Sequence, residues 1–463
     1  MVRMMLAALV ALLMVAGCSD DSSNACDPIA QTGCEEGQVC EEVVDGGTAC
    51  FMPVVLRGTV FDLGDDAGIA GATIVALDPN RAPASTVAVT DASGDYEIRV
   101  ARQRDVDGNP LVGDVTLRAD AAGYQTFPGG IRQALPIELS SPVEEDGVLV
   151  VEAPTTSIGL IELPSGAGTN QIFGNVEVPS DSTGVLVVAE TGGGSPAGFT
   201  AIADREGVYR IFNLPDGDFS VLGYAQGVSY GAQEVTVNGG AEAEVDLALT
   251  NEPSGTVTGG VQIVNPGAGK GTSYILVVES TFDEALVRGE TPPGLRAPGG
   301  TELIDSGSWI IEGVPAGSYK VLGAFENDRL VRDPDEGQGN TDVVRVDVTA
   351  GQSVVAPSFK ITGSLDVLSP GAEGPEEVSG TPVFSWVDDS GEAGYHVEVF
   401  DTFGTLIWED PEVPSASGSD PEVTYGGPPL EAGMYYQFRV TSYDVNDRLL
   451  ARTEDLKGVF FLP

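Results

Sequence analysis

The chain has 463 residues, 70 of them acidic and 22 basic, for a formal charge of −48. Such a charge repels nucleic acid and anionic head groups and so excludes them as partners; it suits solubility in a saline exterior and attracts divalent cations and basic surfaces. Gly (61) and Pro (30) are abundant, but so are aliphatic residues, which marks β-rich protein of about three or four domains and not disorder.

The first element is a short apolar run, Met4 to Val15, preceded by the positive charge of Arg3. A basic start, an apolar core too short to span a bilayer and small residues after it make a secretory signal. The run ends in Val15-Ala16-Gly17-Cys18, which resembles the lipobox of bacterial lipoproteins. The resemblance implies cleavage after residue 17 and a lipidated Cys18 as the new N-terminus, which ties the protein to a membrane. Two or three acyl chains, as lipobox cysteines carry, hold durably where one chain binds only marginally. By the same resemblance, Ser19, where an aspartate would retain such a lipoprotein in the inner membrane, implies the outer membrane, facing the periplasm or the cell surface. Removal of Arg3 leaves the mature chain one charge more negative. No later segment is long and apolar enough for a transmembrane helix.

Residues 18–52 form a polar, acidic segment carrying Cys26, Cys34, Cys40 and Cys50. Four clustered cysteines in an exported chain predict two disulfides, each contributing roughly 2–3 kcal/mol, with three pairings open. Zinc is the rival, but the segment has no Cys-x-x-Cys pair and no histidine.

From Val54 onward, alternating strands broken by Gly, Pro, Asn and Asp predict tandem β-sandwiches, an all-β chain. Tyr96, Ile98 and Val100 alternate with Glu97 and Arg99; Val115, Leu117 and Ala119 alternate with Thr116, Arg118 and Asp120. Each pattern predicts one face inward and the other in water. The pieces Gly58-Thr59-Val60-Phe61-Asp62, Ile69-Ala70-Gly71-Ala72-Thr73-Ile74, Thr90-Asp91-Ala92-Ser93-Gly94-Asp95-Tyr96 and Ala122-Gly123-Tyr124 resemble the carboxypeptidase regulatory-like domain, a transthyretin-like sandwich. The resemblance covers about residues 54–140 of a module placed at 53–163. It implies Gly71 and Asp91–Gly94 at turns, Tyr96 sealing the core edge, and no catalytic residue.

Two further copies, at 168–250 and 253–362, match each other more closely. Tyr209-Arg210-Ile211-Phe212-Asn213-Leu214-Pro215-Asp216-Gly217 aligns with Trp309-Ile310-Ile311-Glu312-Gly313-Val314-Pro315-Ala316-Gly317, and Val185-Leu186-Val187-Val188-Ala189-Glu190 with Ile275-Leu276-Val277-Val278-Glu279-Ser280. Repetition at this spacing is a tandem array. The last module, 364–463, opens on Phe384-Ser385-Trp386. Its Leu430-Glu431-Ala432-Gly433-Met434-Tyr435-Tyr436 resembles the tyrosine corner of fibronectin type III domains, with Ala432 in place of the usual proline. The resemblance gives Tyr436 the corner role, its hydroxyl bonding back to the turn.

Several motifs look like chemistry. Gly227-Val228-Ser229-Tyr230-Gly231 fits a nucleophile elbow, but its surroundings read as strand and the one histidine, His396, is two modules away. Gly267-Ala268-Gly269-Lys270-Gly271-Thr272 fails the phosphate-loop spacing, because Gly271 stands where Ser or Thr must hold magnesium. One histidine cannot supply the ligands of a zinc carboxypeptidase. Asp105-Val106-Asp107-Gly108-Asn109 and Asp333-Pro334-Asp335-Glu336 offer calcium ligands, though ordinary solvated turns explain both better. Trp408, beside Glu409 and Asp410, is a sugar-stacking candidate; Trp386 and Trp309 read as core.

Together these features predict a non-catalytic, membrane-anchored lipoprotein needing no cofactor, a binding, adhesion or scaffold protein with an envelope protein or a glycan as ligand. Four modules end to end would reach roughly 100 Å. The alternatives are a carbohydrate-binding protein using its sandwiches, and a hydrolase with paired, pKa-shifted carboxylates in a cleft between modules.

Overall fold

A computed structural model describes residues 26–28, 31–44, 46–100, 103–109, 113–140, 142–178, 184–191, 199–300, 302–304, 307–325, 328–334, 343–416 and 418–463. The signal segment and Cys18 lie outside the described residues, as do Asp335 and Glu336. Among the described residues, apart from two single-turn 3-10 segments, Pro154–Thr156 and Glu279–Thr281, every element is a strand. Among the described residues, no helix is long and apolar enough to cross a membrane, which says nothing of a β-barrel.

The chain divides into two compact units, Met1–Pro53 with Arg102–Leu111, and Val54–Ala101 with Val112–Pro463. The smaller is built on the hairpin Val39–Val43/Gly47–Phe51, in which Cys40 and Cys50 stand directly opposite. They do not bond to each other. Cys26 bonds Cys40 and Cys34 bonds Cys50, so the preceding coil is stitched to both strands by interleaved loops. All four sulfurs are thereby used, and none is left as a thiolate for zinc. The described residues of this unit have little apolar side chain, and buried Arg104 supplies their centre: it pairs with Glu41, donates to the Met52 carbonyl at 2.7 Å and lies 4.7 Å from the Phe51 ring. The 103–109 loop, within the sequence span of the first sandwich, groups with this unit.

The larger unit holds four sandwiches, and three repeat one topology. In the first, Val54–Asp62 pairs antiparallel with Asp95–Val100 and parallel with Val148–Val151 and Ile158–Leu160. In the second, Asn170–Asn175 pairs antiparallel with Val208–Leu214 and parallel with Glu242–Glu244. In the third, Gly255–Ile263 pairs antiparallel with Gly307–Val314 and parallel with Ser353–Val355 and Phe359–Gly363. The facing sheets are centred on Thr73–Leu77 with Asp114–Asp120, Val185–Thr191 with Gly217–Ala225, and Tyr274–Val278 with Gly317–Gly323.

The repetition reaches single residues. Gly58 faces Tyr96, Gly174 faces Tyr209 and Gly259 faces Trp309 across the central pair of strands. A Cβ on Gly58 would lie 2.0 Å from the Thr156 carbonyl oxygen, and one on Gly174 equally close to that of Val245. Those carbonyls accept the Tyr96 and Tyr209 hydroxyls at 2.7 and 2.6 Å. The glycine thus lets a third backbone segment, the 3-10 turn at Thr156 or the chain at the end of the strand Glu242–Glu244, close over a buried tyrosine and satisfy it. At Gly259 the Trp309 ring itself fills the space.

The fourth sandwich packs Val367–Ser369, Val383–Trp386 and Glu422–Thr424 against a sheet ordered Glu376–Glu377, Val459–Phe461, Tyr435–Tyr443, Gly394–Asp401, Leu406–Pro414. Tyr436 is buried and its hydroxyl accepts the Glu431 N–H at 2.9 Å, the corner bond expected of it.

The sandwiches are not strung end to end. The first is bonded to each of the other three: Tyr124 O accepts from Asn213 of the second, Asn80 Oδ1 from Gly300 N of the third, and Gln125 donates to Thr402 O of the fourth. Their outer faces are consequently covered. Val75 and Leu77 of the first and Leu186, Val188 and Tyr224 of the second join one core with the third. Tyr96, Ile98 and Val100 alternate buried and exposed as expected, but Asp114–Asp120 does not. Arg118 and Asp120, expected in water, are 2% and 8% exposed, because neighbouring sandwiches lie on that face.

Candidate functional site

Where the four sandwiches meet they enclose a cleft of about 680 Å³. Apolar side chains of the second and third, Phe199, Phe212, Ile275, Leu322 and Phe325, line part of it. Charged groups line the rest: Arg81, Arg132, Arg288 and Arg296 with Asp78, Asp120, Asp283, Glu290 and Asp455. A chain with only 22 basic residues thus concentrates arginine at this junction.

Each buried arginine has a positional reason. Arg118, on the outer face of the first sandwich, meets Asp120 at 2.9 Å, Glu290 of the third at 2.8 Å and the Thr200 carbonyl of the second at 3.1 Å. Burial alone would push the Glu290 carboxyl up, but Arg118 and Arg81 outweigh it and hold Glu290 below the usual carboxylate range. Arg132 lies between the Phe127 and Tyr435 rings, 4.8 and 4.7 Å from their centroids, joining first and fourth sandwiches by cation–π contacts. Its guanidinium, desolvated there, is pulled down to about 10 and stays charged at neutral pH. Arg288 of the third sandwich donates to Gly130 O of the first at 3.1 Å and to Asp455 O of the fourth at 2.5 Å. Asp455 sits among Arg452, Arg332, Arg439 and Arg288, which overcome its burial and keep it ionised.

The cleft is therefore the inter-module space that a carboxylate hydrolase would need, with different electrostatics. Glu290 and Asp455 on its wall are both held ionised by guanidinium groups, whereas a general acid must keep its proton. In three lining residues a polar atom, Arg288 Nε, Thr291 Oγ1 or Asp455 Oδ2, is itself buried and has no hydrogen-bond partner among the described residues.

The sequence-selected residues lie elsewhere. Ser229 is buried in the strand Val228–Ser229, paired with Tyr224, and turns into no helix. His396 is in the fourth sandwich, 3.0 Å from Glu409. The Gly267–Thr272 loop joins two strands of the third sandwich, and Thr272 Oγ1 accepts the Ala324 N–H at 2.8 Å. Asp105 spends its carboxylate on Asp107 N, Asn109 N and Asn109 Nδ2 of its own loop, at 2.9, 2.8 and 3.0 Å, which is turn chemistry. Asp333 pairs with Lys360. Trp408 is half-buried against Tyr425 and Phe384, at 5.3 and 6.3 Å between centroids, and so part of the fourth core. Trp309 and Trp386 are buried, as expected.

Asp120, Tyr124, Phe212, Asn213 and Ile275 of the cleft were read from sequence only as strand, module or repeat residues, and none as part of a site. The signal was present in the strands Val185–Thr191 and Tyr274–Val278, the first apolar without alternation from Val185 to Ala189 and the second throughout. Such runs mark strands covered on both faces.

The chain matches no protein-family model and no curated protein. Among solved structures it is similar to the Bacillus anthracis TIE protein at 12% identity, over 88% of this chain and 73% of that one, with a TM-score of 0.16. It is also similar to BcpA, the major pilin subunit of Bacillus cereus (12%, 67% and 99%, TM-score 0.17). GBS52, a minor pilin of Streptococcus agalactiae, matches at 13% over 43% of this chain and 100% of that one, TM-score 0.18. At TM-scores this low the likenesses carry no argument.

Proposed function

We propose that this protein is a non-catalytic, lipid-anchored envelope protein whose four sandwiches form one binding body. Cys18 is its tether, the interleaved-disulfide segment follows the tether, and the outer membrane is its site. The first three sandwiches serve as carboxypeptidase regulatory-like modules and the fourth as a fibronectin-like cap. The observation that carries the binding role is the cleft: a drug-sized ligand site has a volume of about 300–1,000 Å³, apolar walls and a few polar groups, and this one has all three.

A glycan is the ligand class the wall favours. Sugars offer hydroxyl donors and acceptors beside apolar ring faces, matching the charged side chains that line this wall beside Phe199 and Phe325. This moves the sugar reading from Trp408 to the cleft.

The test is localisation and protease shaving of intact cells carrying wild type or Cys18→Ser, followed by a glycan array with the purified chain. Membrane-bound wild type and soluble Cys18→Ser are expected. Equal membrane association of the two would overturn the anchor, and an array without binding would overturn the glycan ligand.

A further inference from the structure

We propose that His396, Glu398 and Glu409 form a divalent-cation site of the zinc class on the outer face of the fourth sandwich, independent of the cleft. His396 and Glu398 are two residues apart on the strand Gly394–Asp401, so both point outward between the buried Tyr395, Val397 and Val399. Glu409 stands directly opposite Glu398 on the antiparallel strand Leu406–Pro414. One ligand-type atom from each of the three, an imidazole nitrogen and two carboxylate oxygens, lies within 4.8 Å of the others. His396 Nε2 and Glu409 Oε2 are 3.0 Å apart.

Two physical points favour a cation here. Like charges directly across antiparallel strands are destabilising unless something positive lies between them. Arg439 is the cross-strand neighbour of Glu398 on the other side, but it donates to Ala285 O at 2.6 Å and Gln437 Oε1 at 3.0 Å and stacks on Phe400. Arg439 still acts on Glu398, so one positive charge faces two negative ones, in a chain whose charge of −48 concentrates cations around it.

The donor set selects the metal. Calcium and magnesium prefer all-oxygen sites, whereas one imidazole with two carboxylates suits zinc and its neighbours, with water completing a tetrahedron. Metal–ligand distances of about 2.0–2.2 Å place tetrahedral ligand atoms roughly 3.5 Å apart, which rotamer adjustment from the present spacing provides. The side chains of His396 and Glu409 are 31% and 49% exposed, so an ion reaches them from solvent.

The experiment uses the full chain stripped with chelator and titrated with zinc by calorimetry. A parallel titration follows the imidazole resonances of histidine-labelled wild type, which arise from one residue. One zinc per chain, a shift of the imidazole signals saturating at the same ratio, and binding weakened more than about tenfold in His396→Ala and Glu409→Gln are expected. Calcium in excess should not displace the zinc. Unmoved imidazole signals under saturating zinc, or unchanged stoichiometric binding in both variants, would overturn the site. The imidazole readout needs no variant and so stands even where a substitution unsettles the sheet.

Discussion

Glu454 is 3% exposed, and its Oε1 accepts the Arg329 N–H at 2.5 Å, joining the fourth sandwich to the third. Burial is the main reason that its carboxyl is pushed up, to about 7, from an ordinary value of 4.5; the Arg329 bond opposes the shift, and Asp328 and Asp366 add to it. The native chain therefore keeps this proton where the unfolded chain has lost it. Its contribution to stability is fully present below about pH 4.5, falls as pH rises and is gone above about pH 7. With allowance for solvent screening the change is of order 2 kcal/mol. Glu454→Gln, which is neutral throughout, should gain on wild type by about that amount between pH 5 and pH 7.5 in urea unfolding. An identical pH slope for both proteins would count against the buried proton.

At the scale of elements, the three related sandwiches rest on a glycine facing an aromatic residue, and in the first two a further backbone segment closes over both. A methyl group on Gly174 would meet the Val245 carbonyl at 2.0 Å, and separating the strands would break the Tyr209–Val245 bond. Gly174→Ala should cost about 2–3 kcal/mol, the upper range for overpacking a buried site. Gly231→Ala is the control in the same sandwich: its Cβ would find only the Thr250 methyl, at an ordinary 3.6 Å, and should change stability by less than about 1 kcal/mol. Denaturant midpoints of the two variants, measured together, check the pair. Equal losses would mean that the close approach is not what the glycine provides.

For the whole molecule, junctions built from shared apolar faces and ion-paired arginines predict that the sandwiches unfold together. The core that joins Val75, Leu186 and Leu276 belongs to three of them at once. Calorimetry of the chain should show one main transition. Arg118→Met would strand Glu290 and Asp120 without their buried partner, a loss of about 3–5 kcal/mol, and lower that transition as a whole. Four resolved transitions in wild type, with Arg118→Met moving one alone, would show that the sandwiches are independent beads.

Period-two alternation, turn residues and internal repetition belong to the sequence by itself, and from them came the all-β class, the tandem sandwiches and the burial of Tyr96, Trp309 and Trp386. Cysteine parity foretold two disulfides but left the pairing open, because Cys40 and Cys50 face each other and only the path of the preceding coil sends each to another partner. Alternation says which side chains share a face but not what covers that face. Arg118 and Asp120 read as solvent-exposed for that reason, since their cover comes from residues 82 and 172 positions beyond Arg118. The cleft and the meeting of His396 with Glu409 are likewise products of tertiary structure. Both join strands or sandwiches through contacts between residues that local pattern treats separately, and such contacts are chosen by the free energy of packing whole faces together.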